Sequence, residues 1–149
     1  MGFPQAISSA FSNYANFSGR AVNSEYWWWF VFESLVLGVL GFLTYVFLFI
    51  GLILRNGIVM PRRGIAVYRP MMRGLAWNPP LVMALIMGIV LLLVALGLLL
   101  PGLALSVRRL HDAGFSGWLV LIALIPFGKI VLLALLAMES SPEGMKYGY

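Results

Sequence analysis

A chain of 149 residues has the length of one domain. With 62% hydrophobic and only 10% charged residues, it lacks the polar surface needed to wrap a water-soluble core. The absence of cysteine excludes disulfides, thiolate metal sites and cysteine nucleophiles, and the single histidine excludes a multi-histidine metal site or bis-histidine haem within one chain. The net charge of +5 comes almost wholly from arginine and lacks the basic-aromatic interleaving of a nucleic-acid groove. It points to membrane orientation and anionic headgroups, with no nucleic acid and no cofactor expected.

Residues 1–19 lack a basic start and a continuous apolar run, so they do not read as a cleavable signal. Phe3, Ile7, Phe11, Tyr14 and Phe17 recur at helical steps among polar residues, and Pro4 suits a first helical turn. The pattern predicts an amphipathic interfacial helix with its rings against the acyl boundary; packing against the other helices is the alternative. Residues 27–54 are long enough to cross a hydrocarbon core of ~30 Å. Asn23 or Ser24 can cap this helix, Glu25 suits its first turn, and Tyr26 to Trp29 form an aromatic belt. Gly38 and Gly41 permit close packing but do not make a GxxxG motif.

Residues 55–80 form a connector carrying Arg55, Arg62, Arg63, Arg69 and Arg73, with prolines that argue against a continuous helix. It reads as a positive-inside loop, with Arg62 and Arg63 as candidates for contact with an anionic headgroup. Residues 81–110 form a second span, kinked at Pro101 and ending near Gly114. Residues 116–138 form a third, broken at Pro126–Lys129; a kinked spanning helix is preferred over a re-entrant hairpin. Residues 139–149 are a polar tail. Apolar segments of this length are too long for barrel strands, which need about ten residues. The predicted fold is therefore an all-α, multi-pass membrane protein: three transmembrane helices plus the interfacial helix, in one domain over 1–149. Counting arginine and lysine on either side of three spans favours N-out, C-in.

Threading those helices brings Arg20 and Glu25 to the same membrane face as Arg108, Arg109, His111 and Asp112. Charges at a low-dielectric edge pair, and arginine's planar fork suits a carboxylate. A structural polar clamp is the leading reading, with an anion or headgroup contact by Arg108, Arg109 and His111 as the second. Catalysis is disfavoured, because neighbours on a helix point about 100° apart, leaving Asp112 badly placed to orient His111. No unmistakable nucleophile accompanies them; Ser106 and Ser116 are merely candidates. Glu33 lies ~9 Å and Lys129 ~16 Å from the same interface at the rise of an α-helix, which suggests a buried Glu33–Lys129 pair.

The stretches FSGRAVNSEYW (Phe17–Trp27), RRLHDAGFSGW (Arg108–Trp118), IPFGK (Ile125–Lys129) and EGMKYGY (Glu143–Tyr149) together resemble a bacterial inner-membrane family, domain of unknown function 805. The resemblance covers nearly the whole chain except the arginine-rich connector, which looks like an insertion. Asn23 stands where the family usually has a second basic residue, and Met145 replaces the tail asparagine. The resemblance implies an integral protein of the bacterial inner membrane with few spans, and no particular reaction. The resemblance leaves function open; the polar clamp holding the helices makes a non-enzymatic structural or accessory component the expected function. Its expected partners are membrane lipids and a membrane-protein partner or second copy. The alternative is a transporter-like or lipid- and anion-binding protein using the RRLHD cluster.

Overall fold

Leucine-rich runs without a helix breaker can satisfy their backbone only by i→i−4 bonds when no water is at hand. In a computed structural model, which describes residues 1–56 and 78–148, these runs form two long helices. The elements are α1 (Phe3–Ser12), α2 (Asn23–Asn56), α3 (Pro79–Asp112), a first 3-10 helix (Gly117–Leu124), α4 (Gly128–Ala137) and a second 3-10 helix (Pro142–Tyr147). No strand occurs among the described residues. Both α2 and α3 are long and apolar enough to cross a membrane. Arg62, Arg63 and most of the predicted connector lie outside the described residues.

Contacts gather into two compact units, Met1–Ser34 with Leu96–Tyr149 and Leu35–Ala95. In the first, α1 ends at Ser12 and not at 19. Ala6 and Ala10 are fully buried, and Phe3 and Phe11 meet Trp28 and Trp29 edge-on, at centroid distances of 5.6 and 5.4 Å. The rings of α1 are thus shared between the start of α2 and the surroundings.

Pro101 stands inside α3, and the helix continues through it to Asp112. A proline has no N–H, so the carbonyl four residues earlier, that of Gly97, loses its helical donor. The Tyr14 hydroxyl donates to that oxygen at 2.5 Å. The helix then stops as its sequence predicts. Gly114 adopts φ 87°, its N–H donates to His111 O at 3.1 Å, and the N–H of Phe115 donates to Leu110 O at 2.9 Å. These are the two bonds of a Schellman ending.

The third predicted span is corrected by the path of the chain after this ending. A continuous helix over 116–138 would separate its ends by roughly 30 Å. Instead Gly114 lies against Ser141 and Glu143, and the backbone N–H of Ser141 donates to Asp112 O at 2.9 Å. The chain therefore leaves the end of α3 and returns to it, as a hairpin of the first 3-10 helix and α4. Its turn needs Phe127 at φ 62°, an uncommon conformation for a residue with a side chain. The next residue, Gly128, is buried so tightly against Ile122 that a Cβ would overlap its carbonyl. The arms are matched, about 16 Å for eight 3-10 residues and about 15 Å for ten α-helical ones.

The second unit contains the end of α2 and the beginning of α3. Asn78 precedes α3, accepts from the N–H of Leu81 at 3.3 Å through its Oδ1, and donates to Gly51 O at 2.9 Å. A Cβ on Gly51 would sit 2.6 Å from the Leu81 side chain, so glycine is what permits this approach.

Candidate functional site

The buried charges collect at the end of α3, within the first unit. Consecutive turns of α3 bring Leu105, Arg108, Arg109 and Asp112 to its packed side, where all four are at most 5% exposed. Arg109 is fully buried and fully committed. Its Nη1 donates to Asp112 Oδ2 at 2.5 Å, its Nε to Leu136 O at 3.1 Å, and its Nη2 to Met138 O. Those two carbonyls belong to the last turn and exit of α4, where no further turn of the same helix supplies their donors. One guanidinium thus ties the returning arm of the hairpin to α3.

Asp112 is equally saturated. Arg20 approaches Oδ1 with Nε at 2.7 Å and Nη2 at 2.6 Å, while Ser140 Oγ donates to Oδ2 at 2.5 Å beside Arg109. This carboxylate joins three separate stretches: the segment before α2, α3, and the tail. The main chain reinforces the junction, since the N–H of Ala21 donates to Arg108 O at 3.2 Å. Arg108 Nη2 faces Glu25 Oε1 at 3.6 Å, and Glu25 also accepts from Ser9 of α1 at 2.8 Å. Arg108 is the least satisfied member, with Nε and Nη2 buried and without a hydrogen-bond partner among the described residues. Arg20, Arg108 and Arg109 against Glu25 and Asp112 leave the cluster with a surplus positive charge.

His111 points elsewhere. Its Nδ1 donates to Gly19 O at 3.3 Å, and its ring stacks on Tyr147 at 4.0 Å with 9° between the planes. Asp112 does not orient it, as the angular separation of helical neighbours requires. Of the two serines considered as nucleophiles, Ser106 donates to Gly102 O at 2.8 Å, and Ser116 precedes the first 3-10 helix without capping it.

Glu33 and Lys129 do not form the expected buried ion pair. No nitrogen–oxygen approach within 4.0 Å joins them among the described residues, and Lys129 is exposed. The turn of the hairpin places Lys129 in the first turn of α4, at the tip. Glu33 is half-buried, with its carboxylate over the backbone of Gly102, beside the buried Trp29 Nε1.

Several participants were missed by sequence reasoning. The Leu136 and Met138 carbonyls are main-chain groups without a side-chain signal. Ser140 and Gly144 gave only weak ones. A Cβ at Gly144 would stand 2.5 Å from His111 O and 2.8 Å from Asp112 O, so the tail lies directly on the end of α3. Tyr14 could have been found, since an internal proline leaves a carbonyl in want of a donor.

The model of a family described as "Protein of unknown function (DUF805)" matches residues 14–149. The chain belongs to this family. The matched range contains the RRLHD segment, the hairpin and the tail. Among curated proteins, the chain is similar to the inner membrane protein YhaI of Escherichia coli K12, with 28% identity over 141 residues, 94% of this chain and 89% of the relative. YhaI of Escherichia coli O157:H7 gives the same identity and coverage. No solved structure gives a significant match. The relative is an inner membrane protein by name, and two helices of this DUF805 member have membrane-spanning length and hydropathy.

Proposed function

We propose that this DUF805 member is a non-enzymatic, structural or accessory protein of the bacterial inner membrane. In this reading it crosses the bilayer twice, through α2 and α3, and the 117–137 hairpin enters one leaflet without crossing. Arms of about 15 Å match half of a ~30 Å hydrocarbon core. The tip residues Leu124 and Phe127 are 82% and 83% exposed, which suits lipid contact. The observation that carries the reading is the Arg109 fork on Asp112, Leu136 O and Met138 O, which fastens the returning arm where α3 ends. α1 then lies at the same boundary, with rings partly on α2 and partly free for lipid. Gly38, Gly41 and Gly97, whose Cβ positions meet nothing within 4 Å, offer flat helix surfaces to a membrane-protein partner or second copy.

Two crossings put residues 1–12 and 142–147 on one side of the membrane; three put them on opposite sides. The natural absence of cysteine makes this directly testable. Ser8→Cys and Met145→Cys, each introduced singly, are expected to react with a membrane-impermeant maleimide from the same side of oriented vesicles. Labelling from opposite sides overturns the hairpin reading.

One observation favours a second reading, in which the cluster binds an anion or lipid headgroup: the buried Arg108 has two nitrogens without hydrogen-bond partners among the described residues. Under it, Arg108→Lys retains the fold and loses a co-purifying anionic phospholipid. Unchanged lipid content rejects that reading.

A further inference from the structure

Beside the arginine cluster, and on a different side of α3, lies a cavity of about 450 Å³. Val107 and His111 of α3 form one wall and Trp118 and Leu121 of the first 3-10 helix another, with Phe17 and Tyr147 closing it. Val107 and His111 are four residues apart and so share a helix face. The volume falls within the range of small-molecule sites, which are mostly apolar with a few placed polar groups. The polar groups here are specific in position. The His111 Nδ1 edge is occupied by Gly19 O and one ring face by Tyr147, while Nε2 lies toward Gly117, another lining residue. Ser116 is an exposed member of the lining, and Lys146, which is not part of the lining, holds its Nζ over the Tyr147 ring at 5.0 Å from the centroid. The result is an apolar interior with a hydroxyl in its lining and a cation against the ring that closes it.

We propose that this cavity holds one acyl chain of an anionic membrane phospholipid, with the headgroup phosphate against Lys146 and Ser116. An apolar interior selects a hydrocarbon chain, and a border cation selects a negative headgroup. Trp118 is 80% exposed although it lines the cavity, as suits a ring at the mouth that meets both chain and interface. The tail has a role here beyond covering α3, because Tyr147 forms a wall that is held in place by Gly144 on the α3 carbonyls. This site rests on the hairpin reading above, since it needs the first 3-10 helix to border the lipid.

The test uses the full chain in a non-ionic detergent, with acyl-brominated phosphatidylglycerol as the probe and brominated phosphatidylcholine as its neutral counterpart. Bromine quenching of the Trp118 component, taken as wild type minus Trp118→Phe, is expected with phosphatidylglycerol at low ratios of lipid to protein. Val120→Trp, which fills the cavity from its own wall, is expected to weaken that binding about tenfold. Lys146→Gln is expected to reduce the preference over phosphatidylcholine about fivefold. Should Val120→Trp fail to fold, Leu121→Trp at a half-exposed wall position serves instead. An unquenched Trp118 component, unchanged binding in the filled variant, or occupation by detergent alone (an adventitious additive only) overturns the proposal. Equal quenching by both lipids overturns the anionic headgroup. Maleimide labelling from a common side together with any of these results rejects only the lipid site, whereas labelling from opposite sides rejects the hairpin beneath it.

Discussion

The two units of this chain hold themselves together by different means. Met1–Ser34 with Leu96–Tyr149 contains the three ion pairs found among the described residues, along with nearly all buried charge. Among the described residues of Leu35–Ala95, the buried ones are Gly51, Asn78 and Ala84, and the polar side-chain bonds are those of Thr44 and Asn78. In lipid, apolar side chains gain little by leaving one hydrocarbon environment for another, so packing and hydrogen bonds decide which contacts are specific. The first unit concentrates those contacts where the hairpin, the tail and the segment before α2 converge. Among its described residues, the second has the close approach at Gly51 and the bonds of Asn78 to fix it.

That contrast can be broken by substitution. The largest effect is expected for Arg109→Ala, which strands Asp112 and two carbonyls in a buried site. A cost of about 3–5 kcal/mol is the usual consequence of removing one partner of a buried pair. Thermal unfolding in detergent should show loss of the cooperative transition or a large fall in Tm. Gly144→Ala follows, at about 1–3 kcal/mol, because its methyl group meets main-chain carbonyls that cannot move aside as a side chain could. Asn78→Ala, the strongest polar lesion available among the described residues of the second unit, is expected to cost about 1–2 kcal/mol through lost capping and the lost bond to Gly51 O. If it proves as damaging as Arg109→Ala, the contrast between the units fails. Tyr14→Phe removes only the donor to Gly97 O and should lower stability by about 0.5–1 kcal/mol. Leu92→Ala, on an exposed face of α3, should stay within about 0.5 kcal/mol.

Long helices were legible because their cause is local. Apolar runs of sufficient length, a glycine that can turn left-handed at 114 and capping-type residues all act through near neighbours. The participation of Arg20, Glu25, Arg108, Arg109 and Asp112 in one junction was also within reach, since charges at a membrane edge need partners. Their pairing was less so. Asp112 receives Arg20, Arg109 and Ser140 together, while Arg108 turns toward Glu25, and only the rotation of α3 against the tail decides that division. For the third apolar segment the less favoured of two readings, the hairpin, matches the path of the chain, for a similar reason. Its hydropathy is the same whether it crosses or turns back, and Pro126 permits either. What separates the two outcomes is a set of bonds between residues more than 25 positions apart, from Arg109 to Leu136 and Met138.

Composition and periodicity, acting through backbone hydrogen bonding and hydrophobicity, were enough to make this an all-helical chain with two helices suited to a membrane. Whether the remaining apolar stretch crossed or returned, which carboxylate met which guanidinium, and that a cavity would open beside His111 were decided only once distant segments packed. Those outcomes depend on three-dimensional neighbours, and a one-dimensional pattern does not contain their distances.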